Sequence, residues 1–210
     1  GAGGVVTDRG TGAIARAAEE FDEVLDRDDL PLADTRRALR DLGRVNLLLF
    51  GRRALKLTLL PLLRNGGPGR RWALDVAAGA GDAAPSLRRA ATRVGVDLRI
   101  VATDRKVSHL QIGRSQGTID LAVVARAEAL PFRARSFDWS ISTLFFHHLD
   151  EVGKARVLRE MRTVTTRSVV VVDLRRSRRA EWAFAVLGRL LGLGRIALGD
   201  GRTSLRRTLS

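Results

Sequence analysis

Short apolar runs recur through the middle of this chain, separated for the most part by stretches with helical spacing. Residues 72–77, 98–103, 119–124, 139–142 and 168–173 read as strands, and 83–94, 105–115 and 151–164 read as helices. That alternation predicts an α/β fold: a Rossmann-like, mostly parallel sheet with right-handed crossovers. The run Val169–Val172 has no polar position, so it is expected to be buried on both faces.

The flanks have a different pattern. Ile14, Ala17, Ala18, Phe21, Val24 and Leu25 give one apolar helical face. Leu39, Leu42, Val45, Asn46 and Leu49 give another, with Asp34 as the expected N-cap. Gly51 is expected to break the helix, and Ala54–Leu63 is a further apolar helical piece interrupted by Pro61. Asn65-Gly66-Gly67-Pro68-Gly69 reads as a linker. Beyond the last strand, Glu181–Leu198 is an apolar helical segment, closed by the turn Gly199-Asp200-Gly201. The expected organisation is an N-terminal helical cap and linker over 1–69, a sheet core over 70–174, and an apolar helix with a truncated C-terminal segment over 175–210.

Candidate chemistry sits where the first strand ends. Leu74-Asp75-Val76-Ala77-Ala78-Gly79-Ala80-Gly81-Asp82 is a strand running into a glycine turn and then an alanine-rich helix. Glycine there admits a tight turn and a close ligand, because a Cβ would block both. Asp75 and Asp82 put two carboxylates beside the turn, which suits a cationic, hydroxyl-bearing ligand and not a phosphate. Asp104 ends the second strand, where an acidic residue holds ribose hydroxyls in open α/β sheets. Ala77 stands where the dinucleotide fingerprint has its first glycine, which speaks against a pyrophosphate ligand and against nicotinamide chemistry.

These segments resemble the class I S-adenosylmethionine-dependent methyltransferases, especially the group that includes quinone C-methyltransferases. The resemblance covers residues 74–174. Leu74–Asp82 looks like the family's first motif, and Ala127-Glu128-Ala129-Leu130-Pro131-Phe132 with Ser136-Phe137-Asp138 looks like its segment between strands three and four. Leu158-Arg159-Glu160-Met161 looks like its helix before strand five. The resemblance implies S-adenosyl-L-methionine as cofactor. The turn Ala77–Gly81, with Gly79, would approach its methionine part, with Asp75 near the ammonium and Asp82 beside the turn. Asp104 would accept from both ribose hydroxyls, Arg105 would flank the adenine, and Ala127 and Glu128 would contact the ring. Thr143, Leu144 and Phe145 would line the mouth where the methyl group departs. Arg126 departs from the family's aspartate before that alanine, and an arginine cannot accept from the adenine amino group. The family also closes its sheet with a further helix and an antiparallel hairpin that the sequence after strand five does not supply. The C-terminal strands are therefore expected to be missing, through truncation or because a partner or second copy covers the sheet edge.

His147 and His148 follow strand four and are the candidate catalytic bases toward a hydroxyl acceptor, since histidine titrates near neutrality. Asp173, at the same edge, would either orient the acceptor or cap Arg175; Asp138, at the opposite end, reads as structural. Trp182, Phe184, Leu187, Leu190 and Leu191 suggest a lid over a small lipophilic acceptor such as a quinone, phenol or polyketide, or else packing onto the sheet. Arg189 and Arg195 within that run leave a peripheral contact with anionic lipid open.

Composition alters this picture little. The 210 residues carry a net charge of +14, from 37 basic and 23 acidic side chains. Only Lys56, Lys106 and Lys154 are lysines, and the arginines are spread along the chain, Arg175-Arg176-Ser177-Arg178-Arg179 being one cluster. That spread, with few aromatics, reads as a solvated surface more than a nucleic-acid interface. The absence of cysteine removes disulfides and thiolate metal sites, and His109, His147 and His148 do not have zinc-ligand spacing. No run is apolar and long enough for a membrane span, and no signal peptide is read at the start, so a cytoplasmic location is expected. The expectation is methyl transfer to oxygen or carbon of a small acceptor. The alternatives are a catalytically silent cofactor-binding or assembly subunit and an RNA methyltransferase. The last is disfavoured by Ser142-Thr143-Leu144-Phe145, which lacks the Asn/Asp-Pro-Pro-aromatic pattern of base-gripping enzymes.

Overall fold

The computed structural model describes residues 31–49 and 51–173. The apolar face beginning at Ile14, the arginine cluster 175–179 and the segment 181–198 lie outside the described residues.

Two helices come first, α1 (Leu32–Leu49) and α2 (Gly51–Asn65). Then follow β1 (Gly69–Val76), α3 (Ala84–Thr92), β2 (Val96–Asp104), α4 (Val107–Ser115) and β3 (Leu121–Val124). The remainder is β4 (Phe137–Thr143), a 3-10 turn over Phe146–His148, α5 (Glu151–Val164) and β5 (Thr165–Val172). All strand pairs are parallel, in the order β3-β2-β1-β4-β5. The chain winds outward from β1 in one direction and then returns to its other side, so the topological switch lies between β1 and β4. Ligands of such sheets bind outside the carboxyl ends of the strands at that switch.

β1 is the centre of the packing. Ala73, Leu74, Asp75 and Val76 are all buried, so both faces of the strand's second half are covered. On one face Leu59 and Leu63 of α2 and Leu87 and Ala91 of α3 pack with Ala73, Ile100, Trp139 and Ile141. On the other, Val157, Met161 and Val164 of α5 pack with Leu74, Val76, Val101 and Phe137. α1 reaches the open end of the sheet, where Ala38 and Leu39 meet Ala80 and Ile112.

Three local expectations are corrected. Asp34 is not the N-cap, because α1 already begins at Leu32; the residue sits in the first turn, where a negative charge favours the helix dipole. Pro61 does not interrupt α2, which continues to Asn65. Leu59 and Leu63, on either side of the proline, are both anchored in the core, and that packing outweighs one missing N–H. Val169–Val172 is not buried on both faces: Val170 is buried, but Val171 is 38% exposed. β5 pairs only with β4 among the described residues, so its outer side lacks the cover that β1 has.

The segment read as a linker closes α2 and opens β1. The Gly66 amide donates to Leu62 O at 3.0 Å, and Gly67 takes φ +73, a common way to end a helix. The Trp139 ring lies close enough that a Cβ on Gly66 would meet it at 3.1 Å. Trp139 is thus the side chain that joins α2 to the sheet, and it is 1% exposed. Trp139→Ala is expected to lower the free energy of unfolding by about 3–5 kcal/mol, measured by urea denaturation.

Candidate functional site

The carboxyl ends of β1, β2 and β4 carry most of the polar groups buried in the sheet. At the end of β1 the chain leaves the strand through Ala77 at φ +55, a left-handed conformation that costs a residue with a Cβ about 1 kcal/mol. Leu144, just past β4, has the same φ of +55. Two non-glycine residues in this region therefore flank the topological switch, where strain tends to accumulate at working sites.

The turn after β1 spends its amides inside the protein. The Ala78 amide donates to Thr103 O at 2.8 Å, the Gly79 amide to Asp104 Oδ2 at 2.8 Å, and the Gly81 amide to Ala78 O at 2.8 Å. Thr103 Oγ1 donates to Asp75 O at 3.2 Å, tying the ends of β1 and β2 further. These three amides do not form an anion cradle, in keeping with the acidic residues around them. The two glycines have different reasons to be there. A Cβ on Gly81 would collide with Ile119 Cγ1, whereas a Cβ on Gly79 would meet nothing within 4 Å. Gly81 is required by packing, and Gly79 faces open space.

Asp75 is 1% exposed, and its Oδ1 has no hydrogen-bond partner. Burial, and then the charges of Asp104 and Asp82, push its carboxyl up from 3.8 to about 7. Asp104 is also buried but behaves oppositely. Burial pushes it up, yet this is outweighed by the His109 imidazole, with Nδ1 3.6 Å from Oδ1, and by the amides of Lys106 and Gly79, so its carboxyl lies below the usual range. The Lys106 amide donates to Oδ1 at 2.9 Å. With Gly79 on Oδ2, each carboxylate oxygen retains acceptor capacity. Ser142, near the end of β4, adds another buried hydroxyl without a partner.

The other sequence candidates fall at the same end of the sheet. Asp82 is half-buried in the turn, Arg105 is exposed beside Asp104, and Thr143 is half-buried as the last residue of β4. After β3, the Ala125 amide donates to Asp104 O at 3.1 Å, Ala127 is buried, and Glu128 lies 3.7 Å from Arg126 Nε. The Arg126 side chain is 74% exposed. Glu160 of α5 accepts from the Leu130 amide at 3.0 Å and so anchors this loop from across the fold. Asp138 sits at the opposite end, accepting from the Trp72 amide at 3.0 Å and from Arg167 Nε at 3.1 Å.

His147 and His148 have different surroundings. The carboxylate of Asp173 holds His147 twice: it accepts from the backbone amide at 2.8 Å and lies 2.6 Å from ring Nδ1. His147 Nε2 is buried with no partner. The His148 ring lies 4.2 Å from that of His147 and stacks on Phe145 at 6.4 Å. Sequence reasoning did not single out His109 or Ser142. The available signal for His109 was its place in the first helical turn after Asp104, close to a strand-ending carboxylate.

The raised Asp75 carboxyl makes stability depend on pH. Between pH 3.8 and about 7 the unfolded chain has lost this proton while the folded chain keeps it, so stability falls as pH rises through that window. Asp75→Asn removes the effect. Its stability relative to the wild type is expected to rise by about 4 kcal/mol between pH 4 and pH 8, measured by urea denaturation at both values.

Residues 74–172 match a family described as methyltransferase domain. No curated protein matches the chain. Among solved structures it is similar to a chain of the complex between the Haloferax volcanii Trm112 methyltransferase activator and a putative methyltransferase, at 17% identity over 87% of this chain and 76% of that one, with a TM-score of 0.55. A putative S-adenosyl-L-methionine-dependent methyltransferase of Methanococcus maripaludis is 16% identical over 88% of this chain and 80% of its own, with a TM-score of 0.54. A protein of Pyrococcus horikoshii is 20% identical over 70% and 64%, with a TM-score of 0.52. The structural likeness is one of fold, and the family match supplies the chemistry. The match to a methyltransferase domain over residues 74–172 thus falls on a parallel sheet of the Rossmann-like type.

Proposed function

We propose that the protein transfers a methyl group from S-adenosylmethionine to oxygen or carbon of a small, lipophilic acceptor. The observation that carries this reading is the unpartnered, buried carboxylate of Asp75 beside the open face of Gly79. The residues present fit the cofactor. A buried carboxylate oxygen without a donor suits an ammonium group, and the space over Gly79 is one that a Cβ would fill.

In this reading Asp75 pairs with the ammonium, the turn Ala77–Gly81 with Asp82 lies along the methionine part, and Asp104 uses its remaining lone pairs for the two ribose hydroxyls. Arg105, Ala127 and Glu128 flank the adenine, and the exposed Arg126 stays out of the way. Thr143 stands at the methyl end. When bound, the cofactor supplies a methyl on a positive sulfur that is displaced in line. The protein then has to hold the acceptor on that line and exclude water, a role that falls in this reading to Leu144 and Phe145. Those apolar side chains support a lipophilic acceptor, and His147 and His148 beside them are the candidate bases.

Titration calorimetry with S-adenosylmethionine tests the seat directly. Binding is expected in the wild type, with at least tenfold weaker binding in Asp104→Ala, because two hydroxyl partners are lost. Undiminished binding by Asp104→Ala overturns the arrangement. A screen with methyl-labelled cofactor against quinones and phenols then identifies the acceptor class.

A further inference from the structure

The surroundings of His147 point to both the base and the kind of acceptor. Thr143 and Val172 are register partners at the ends of the parallel strands β4 and β5. The residues that follow, on the two chains, are therefore brought side by side. The Leu144 amide donates to Val172 O at 2.8 Å, which fixes the first step of the loop after β4. Asp173 comes next on β5 and meets His147 through both the backbone amide and the ring.

We propose that Asp173 is a positioning residue that makes His147 the base, and that the acceptor is a hydroxyl-bearing molecule such as a phenol. This rests on the methyl-transfer reading above. A carboxylate 2.6 Å from Nδ1 takes the ring proton on that nitrogen, since a carboxylate can only accept. The lone pair of the neutral ring then lies on Nε2. That atom is buried and has no partner in the protein, a state that costs free energy unless a ligand donor fills it. The two contacts that one carboxylate accepts also lock the ring's orientation against its own backbone, so Nε2 is held in one position. The His148 ring lies against Phe145 and His147.

The reaction balances with these groups alone. His147 takes the acceptor hydroxyl proton on Nε2 as that oxygen bonds to the methyl carbon. The carbon–sulfur electron pair returns to sulfur, which becomes a neutral thioether. One positive charge disappears at sulfur and one appears on the imidazolium, where Asp173 lies next to it. A carboxylate so placed stabilises the charge that forms, without itself being protonated.

The test uses the full chain labelled with 15N-histidine, with the His147 signals assigned by comparison with His147→Gln. Long-range proton–nitrogen spectra of the neutral ring are expected to show the proton on Nδ1 in the wild type and a mixture of tautomers in Asp173→Asn. With a phenol acceptor from the labelled-methyl screen, Asp173→Asn is expected to lose about 10²–10⁴-fold in kcat. Its KM for S-adenosylmethionine should stay within about threefold of wild type, and Asp173→Glu should recover part of the loss. A wild-type ring protonated on Nε2, turnover of Asp173→Asn within threefold of wild type, or labelled methyl found only on carbon of acceptors overturns the proposal. Cofactor binding by Asp173→Asn separates this failure from that of the methyl-transfer reading, which would show as no binding in the wild type.

Discussion

The open end of this sheet depends on one costly placement: an unpaired carboxylate, Asp75, in the interior of the central strand. A carboxylate removed from water with no donor for Oδ1 favours its protonated form, and burial together with two neighbouring carboxylates pushes it toward neutrality. Such a group is tolerated because the rest of β1 is deeply packed on both faces by α2, α3 and α5. The fold supplies the stability, and the site uses some of it.

The neighbouring carboxylate shows how environment separates two acids a strand apart. Asp104 ends β2 as Asp75 nears the end of β1, yet Asp104 is surrounded by the Gly79 and Lys106 amides and by His109. It is held ionised, while Asp75 hovers near neutral pH. The Gly79 amide, which a phosphate-binding loop would have offered to its ligand, is spent on Asp104. The same sequence pattern, strand to glycine turn to helix, thus prepares a seat for positive charge and hydroxyl groups instead of phosphate.

Much of this was legible in the chain because the signals were local. The strand starting near Trp72 and the glycine turn were readable from apolar runs and breakers, and so were α5 at Glu151–Val164 and the strand-ending acids. Less visible were features set by distant partners. Pro61 reads as a break until Leu59 and Leu63 are seen to be anchored on both sides of it. Val171 reads as core until β5 proves to have a neighbour on one side only among the described residues. Asp34 reads as a cap because the helix start depends on the turn before it. In the site, Asp173 carried two readings in sequence, and only the parallel pairing of β4 with β5 brings it to His147. His109 escaped notice because its role depends on one carboxylate five residues away.

The most direct test of the central claim is the proton balance of cofactor binding at pH 6.5, obtained by titration calorimetry in buffers of different ionisation enthalpy. With a carboxyl near 7, Asp75 is mostly protonated at that pH, and an ammonium drawn against it must expel the proton. A net release of about 0.8 proton per bound S-adenosylmethionine is expected, disappearing in Asp75→Asn. Tight binding with no proton released by the wild type would contradict the pairing of a buried, protonated carboxyl with the cofactor's ammonium group.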